Sequence, residues 1–346
     1  MRKKSSARPA VFLAGLLCWM LLLAGHGAAV DLDAPCTLTV KAGGEEFSED
    51  LTQADLVLDV YWVAEAAPVA GQDSYGFQMR PLYETLTAPN QEDTDAWRDL
   101  AQEAAVLALE GDTPLVAEGL PGQPLDTQLS PGLYLIVAHS QGQEAQTAAL
   151  TDDQGQEWLV TQVNTQEYTY SFQPELVALP GKAVDEEGAM NTANPGPWLY
   201  DQTVTLKPEQ TRRFGALEIV KTLQSYDTTG GGVTFVFSVE AVKDETAVYS
   251  DVVAMTFYGP GQKSVLLENI PVGAEVTVSE VYSGAGYRLV SPETQTAVIA
   301  LDEISQVTFA NDYDNGQNKG HGLVNHFAYD PASGWQWQQL VDNTGG

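Results

Sequence analysis

The chain has 346 residues, with 47 acidic against 16 basic side chains and a formal charge of −31. That length suits two domains, or three, each large enough to build its own core. Such acidity repels nucleic acid and anionic membrane and excludes both as expected partners; it reads as solubility outside a cell rather than as an acidic site.

Residues 1–29 read as a secretory signal: Arg2, Lys3, Lys4 and Arg8 lead into an apolar run from Val11 to Ala24, and Gly27-Ala28-Ala29 supplies small residues for cleavage after Ala29. Leu17 before Cys18 is too bulky for a lipoprotein signal. No later stretch is long and apolar enough to span a bilayer. Once the signal is removed, Cys36 is the last cysteine and no internal disulfide can form. Cys36 reads as a buried apolar residue, with a reactive thiol as the alternative.

Residues 30–180 are expected to form the first domain. Cys36–Val40 and Leu56–Ala64 are strand-like runs of alternating or β-branched residues. A helix follows, capped by Asp93 or Thr94, with Trp97, Leu100, Ala101, Ala104, Leu107 and Ala108 at helical spacing and Gly111 as its stop. Leu129–Ala138 is a turn feeding a central strand, and further strands fall at Trp158–Val160, Tyr168–Phe172 and Pro174–Pro180. The Pro-Gly-Leu-Tyr-Leu run at 131–135 and the ending Tyr170-Ser-Phe-Gln-Pro174 with Leu179-Pro180 resemble the N-terminal domain of Gram-positive pilin subunits. His139 reads as a satisfied, half-buried histidine, because no second His or Cys stands at metal-site spacing; no metal and no cofactor are expected.

Residues 181–213 read as a linker and connecting strand, small, polar and Pro/Gly-containing up to Gly196. Trp198–Pro208 alternates as a strand and ends in Lys207. This segment distantly resembles the pilin motif whose lysine a sortase joins to the next subunit, which makes Lys207 the candidate intersubunit linkage. The spacing and the Lys-Pro order depart from that motif, and a solvated strand-end lysine is the plainer alternative.

Residues 214–314 carry the most informative pattern. Leu217, Ile219, Lys221 and Leu223 share one strand face; so do Val276, Val278 and Glu280, and so do Val307, Phe309 and Asn311. A lysine, a glutamate and an asparagine therefore point toward one core. Burial drives a lysine to lose its proton and a glutamate to gain one. A neutral amine can attack the Asn311 carboxamide carbon while Glu280 hydrogen-bonds the carbonyl oxygen and passes a proton to the departing ammonia. The product is an isopeptide bond. A buried Lys221–Glu280 ion pair with Asn311 as hydrogen-bond partner is the unreactive alternative.

Gly-Ala-Leu-Glu-Ile-Val-Lys at 215–221, Phe-Val-Phe-Ser-Val at 235–239, Ile-Pro-Val-Gly-Ala-Glu-Val-Thr-Val-Ser-Glu at 270–280 and Val-Thr-Phe-Ala-Asn at 307–311 resemble the Cna B-type (SpaA-like) domain of Gram-positive surface proteins and pilins. The resemblance covers about one hundred residues. It implies an immunoglobulin-like sandwich with the linking lysine at Lys221, the catalytic glutamate at Glu280, acting once on its own chain, and the acceptor at Asn311. The first domain is not expected to hold such a bond. Lys41 falls on the outer face, His139 occupies the glutamate's place, and no asparagine follows the 168–172 strand in the required position.

Residues 315–346 read as a C-terminal strand and tail. The acidic turn at 312–316 lacks the spacing and closing glutamate of an EF-hand. Asn325 is a rival acceptor to Asn311. Trp335 and Trp337 share a strand face and could stack on a sugar, or pack on the preceding domain. The last seven residues show only a Thr-Gly echo of a wall-sorting signal. The fold class expected is all-β: tandem immunoglobulin-like (Cna B-type) β-sandwiches, the first with one inserted α-helix. The function expected is a secreted structural protein of the Gram-positive cell surface, pilin-like or an adhesin stalk, with pilin or surface-protein partners or a sortase. The alternative is an adhesin binding a host protein or glycan. An enzyme is not expected, since no nucleophile elbow, zinc motif or defined carboxylate pair is present.

Overall fold

The computed structural model of the protein describes residues 29–44, 47–90, 93–110, 115–182, 197–228, 231–284, 286–314, 324–330 and 334–340. The expected signal segment through Ala28, the expected helix stop at Gly111 and most of the expected linker, 183–196, lie outside these residues. The protein is all-β and divides into two compact units, one of residues 1–165 with 169–211, the other of 166–168 with 212–346. No helix among the described residues is long and apolar enough to cross a membrane.

The first unit contains β1 (Thr37–Ala42), α1 (Ser48–Gln53), β2 (Leu56–Pro68), β3 (Tyr75–Met79), α2 (Thr94–Glu110), β4 (Ala117–Gly119), β5 (Gly132–Ser140), β6 (Gln146–Thr151) and β7 (Glu157–Asn164). It continues through β8 (Tyr168–Phe172), β9 (Glu175–Leu179), β10 (Gly181–Lys182), β11 (Trp198–Leu199), β12 (Asp201–Leu206) and β13 (Glu209–Arg212). One sheet runs β3-β2-β5-β9, with β4 beside β2, and a second runs β13-β8-β7-β6. Strand β2 over Leu56–Ala64 and strand β5 are buried almost throughout, as expected of continuous apolar runs in a sheet covered on both faces. Gly132 begins β5 because a Cβ there would stand 2.4 Å from the Ala64 carbonyl oxygen and 2.6 Å from Trp62 Nε1.

Helix α2 is capped by Asp93, whose Oδ1 accepts from the Ala96 N–H at 3.0 Å. Its apolar stripe of Trp97, Leu100, Ala101, Ala104, Ala105 and Ala108 is buried against Tyr61, Val63, Leu133, Leu135 and Val137 of the β2–β5 sheet. Leu107 is only half-buried, and Ala105 occupies the core position instead. Gln102 joins the helix to β7, donating to the Leu159 carbonyl at 3.1 Å and accepting from the Leu159 N–H at 2.6 Å.

Two features depart from the sequence reading. A second, short helix, α1, is present in addition to the one expected. The described part of 197–211 is also not a free connection. Strand β12 pairs in parallel with β1 over Thr37–Ala42, β11 pairs with β10, and β13 joins β8, so this stretch belongs to the first unit. The lone pairing of a short polar strand with one more than 160 residues earlier leaves no local trace in the sequence.

The second unit contains β14 (Phe214–Leu223), β15 (Val233–Lys243), β16 (Thr246–Phe257), β17 (Gly261–Pro271), β18 (Glu275–Tyr282), β19 (Tyr287–Leu289), β20 (Thr294–Val298) and β21 (Ile304–Tyr313). Two four-stranded sheets, β17-β14-β21-β19 and β16-β15-β18-β20, enclose one core that includes Leu217, Ile219, Phe235, Phe237, Val276 and Phe309. Gly215 lets β14 pass the 299–300 turn, since a Cβ there would meet the Ala300 carbonyl oxygen at 2.4 Å. Beyond it, β22 (Val324–Asp330) and β23 (Gly334–Leu340) form a two-stranded antiparallel ribbon.

Candidate functional site

Three strands bring the polar residues of the second core together. Strand β14 lies parallel to β21, with Lys221 opposite Phe309 and Leu223 opposite Asn311. Lys221 and Asn311 are thus close neighbours on the inner face of one sheet. Glu280 comes from the other sheet, on β18, opposite Phe237 of β15. The β15–β18 register shifts just there, Val236 facing Tyr282, so one extra residue follows Glu280. Such a bulge turns a strand locally and re-aims its side chains.

The burial is complete. Lys221 and Asn311 are 0% exposed and Glu280 is 3% exposed. The Lys221 amine hydrogen-bonds Glu280 Oε2 and donates to Asn311 Oδ1 at 2.5 Å. Asn311 Nδ2 donates to Glu280 Oε1 at 2.7 Å. The three side chains therefore close a ring in which each touches the other two. The Lys221 Nζ also lies 4.4 Å from the centre of the Phe235 ring and 5.4 Å from that of Phe237. Phe237 in turn packs on Phe309 at 5.0 Å between ring centres.

The electrostatics follow from that setting. Burial pulls the Lys221 amine down from its usual range to about 8, with the Glu280 carboxyl opposing the shift. Burial pushes Glu280 up, opposed by Lys221 and by hydrogen bonds from Lys221, Asn311 and Ser283. Both shifts run toward the neutral forms, an amine and a carboxylic acid beside a carboxamide. One detail differs from the expectation: Glu280 contacts the nitrogen of Asn311, not its carbonyl oxygen. That places the Glu280 carboxyl beside the atom that would leave as ammonia in the expected reaction, while the amine lies on the carbonyl side.

Phe235 and Phe237 were the members of this site that residue chemistry did not single out. Their signal was available in the period-two run Phe235, Phe237, Val239, which marks a core-facing strand but not what it covers. Asn325 lies on β22, and its side chain is outside the described residues, as are those of Trp335 and Trp337 on β23. Lys207 is exposed between β12 and β13, in the first unit. Lys182 lies against the Trp198 ring at 4.3 Å and pairs with Asp73 at 3.6 Å. Lys41 is exposed on β1, and Cys36 is fully buried with its thiol pushed up to about 11 by burial. His139 is buried rather than half-buried, beside Asp59.

The fold and site together define a tandem β-sandwich protein whose second unit is built around a fully buried Lys–Glu–Asn group. A family described as a domain of unknown function (DUF5979) matches residues 217–314, the part of the chain that holds all three residues. Among solved structures, the chain is similar to GBS52, the minor pilin of Streptococcus agalactiae, at 12% identity and a TM-score of 0.24, over 82% of this chain and 99% of that one. It is similar to a streptococcal ancillary pilin at 14% identity and a TM-score of 0.25, over 87% of this chain and 74% of that one. A bacterial adhesin from Mobiluncus mulieris, described as containing intramolecular disulfide, isopeptide and ester bond cross-links, is similar at 13% identity and a TM-score of 0.25, over 75% of this chain and 83% of that one. No curated protein matches the chain.

Proposed function

We propose that the protein is a secreted structural component of the Gram-positive cell surface, pilin-like or an adhesin stalk, whose second sandwich locks itself with an isopeptide bond between Lys221 and Asn311. The observation that carries this reading is the buried ring of Lys221, Glu280 and Asn311, an amine and a carboxamide in contact with the carboxyl group between them. The neutral Lys221 amine attacks the Asn311 carboxamide carbon. A C–N bond forms, Glu280 takes a proton from the attacking nitrogen and gives one to Nδ2, and the old C–N bond breaks to release ammonia. Atoms balance: an amine and a primary amide become a secondary amide and ammonia, and Glu280 ends as it began. The reaction occurs once per chain, so the protein is not an enzyme in the sense of turnover.

The mechanical consequence supports the structural role. Strands β14 and β21 are the first and last of the unit's two-sheet core and run parallel. Tension entering at Phe214 and leaving at Tyr313 would pass through the bond and bypass residues 222–310. Lys207, exposed between two strands, is the proposed point of attachment to another subunit through a sortase. The test is to recover the protein from the surface fraction of its host, digest it and sequence the fragments. A branched peptide joining the β14 and β21 segments is expected; separate, unmodified Lys221 and Asn311 peptides would overturn the proposal.

A further inference from the structure

Strands β4, β2 and β5 lie side by side in the first unit and bring Glu118, Asp59 and His139 to one place. Asp59 is directly opposite Glu118 across β2 and β4, and His139 follows on β5, opposite Val57. One ligand atom from each of the three lies within 4.8 Å of the other two. Asp59 and His139 are each 8% exposed, whereas Glu118 is exposed.

The hydrogen bonding inside this group is incomplete. His139 Nδ1 is 2.9 Å from the Ser140 carbonyl oxygen, to which it can only donate, so Nε2 is the nitrogen turned toward Asp59. Nε2 is 3.1 Å from Asp59 Oδ1, yet both atoms are buried without a hydrogen-bond partner. The other Asp59 oxygen accepts from the Tyr61 hydroxyl at 3.4 Å. Two carboxylates directly opposed across a strand pair repel, and a buried acceptor without a donor is costly. A cation seated between the three residues would answer both problems.

We propose that Asp59, Glu118 and His139 form a binding site for a divalent transition-metal ion of the zinc class. An imidazole nitrogen with two carboxylate oxygens is a donor set such ions accept. Ligand bonds of about 2.0–2.2 Å at near-tetrahedral angles put neighbouring ligand atoms roughly 3.3–3.5 Å apart, close to the observed His139–Asp59 approach. The carbonyl held by Nδ1–H is the usual outer support that orients a metal-binding histidine. The exposed side of Glu118 leaves room for water as a further ligand. Bound metal would tie the three-residue strand β4 to the buried centre of its sheet.

The test is calorimetric titration of the full mature chain with zinc chloride, with magnesium as control, beside thermal melts. Wild type is expected to bind one zinc and to melt higher in its presence. Glu118→Gln, at an exposed position that leaves the fold intact, is expected to bind at least about tenfold more weakly, and His139→Gln likewise. Lys221→Met should bind as wild type does. Absence of zinc binding, or equal affinity in wild type and Glu118→Gln, would overturn the proposal and leave a buried His139–Asp59 ion pair beside a solvated glutamate.

Discussion

Replacing Lys221 by methionine, alone and together with Glu280→Gln, separates the cross-linked core from the ion-paired one by the size of its effect. A bond between residues 90 apart closes a long loop in the unfolded chain. The chain-entropy relation for a covalent cross-link of that span gives about 4.6 kcal/mol of stabilisation near room temperature. For a unit of about one hundred residues, that corresponds to a fall of roughly 20–35 °C in the melting temperature when the link is lost. Methionine introduces little else: it is unbranched and apolar, it can lie against Phe235 and Phe237, and it leaves the Asn311–Glu280 hydrogen bond of 2.7 Å intact. Without a bond, the same substitution would strip the buried Glu280 carboxyl of its partner and could itself cost about 3–5 kcal/mol, so the control is Lys221→Met combined with Glu280→Gln, which leaves no uncompensated buried charge and is expected to cost little where no bond exists. Differential scanning calorimetry of the chain from Val30 should therefore show the transition of the second unit falling by tens of degrees in both Lys221→Met and the double variant. A transition that stays in place or rises would refute the loop argument.

Glu280→Ala should abolish the link while leaving both reacting residues in place, so peptide mapping should find Lys221 and Asn311 unmodified; full linkage in that variant would remove Glu280 from the chemistry. Asn325→Ala should leave the linked peptide unchanged, and its loss would shift the acceptor to β22. The rate of linkage, followed by mass after refolding denatured, unlinked chain, should be bell-shaped in pH. The reactive form holds one proton between Lys221 and Glu280, so it is depleted on the acid side as both become protonated and on the alkaline side as the last proton leaves near pH 8. A rate still rising from pH 8 to pH 10 would mean that amine deprotonation alone governs it. In the first unit, Trp97→Ala should cost about 3–5 kcal/mol, read by urea unfolding, because the indole is buried against the β2–β5 sheet; a loss under 1 kcal/mol would contradict that packing.

Much of the second unit was legible because its strands alternate cleanly. Leu217, Ile219, Lys221 and Leu223 share a face in the sequence and are all buried in the structure, so one polar residue in an apolar row was enough to mark each of Lys221, Glu280 and Asn311. The bulge after Glu280 and the contact of its carboxyl with the amide nitrogen were not legible, since both depend on the register between β15 and β18. The first unit was read less fully. Its long apolar strands and the α2 stripe stood out, but β3, β4, β6 and β13 are short or polar edge strands with little hydrophobic contrast. The meeting of Asp59, Glu118 and His139 rests on one of these, β4, which pairs with a strand some sixty residues earlier. The parallel pairing of β12 with β1 escaped notice for the same reason: distant partners set it, not local composition.

The most direct test of the account is the intact mass, under denaturing conditions, of the chain beginning at Val30, measured beside its Lys221→Met variant. The account predicts that the first is lighter than its sequence by one ammonia and that the second matches its sequence. A chain from Val30 whose mass equals its sequence would contradict it, returning Lys221, Glu280 and Asn311 to a buried ion pair and its hydrogen-bond partner.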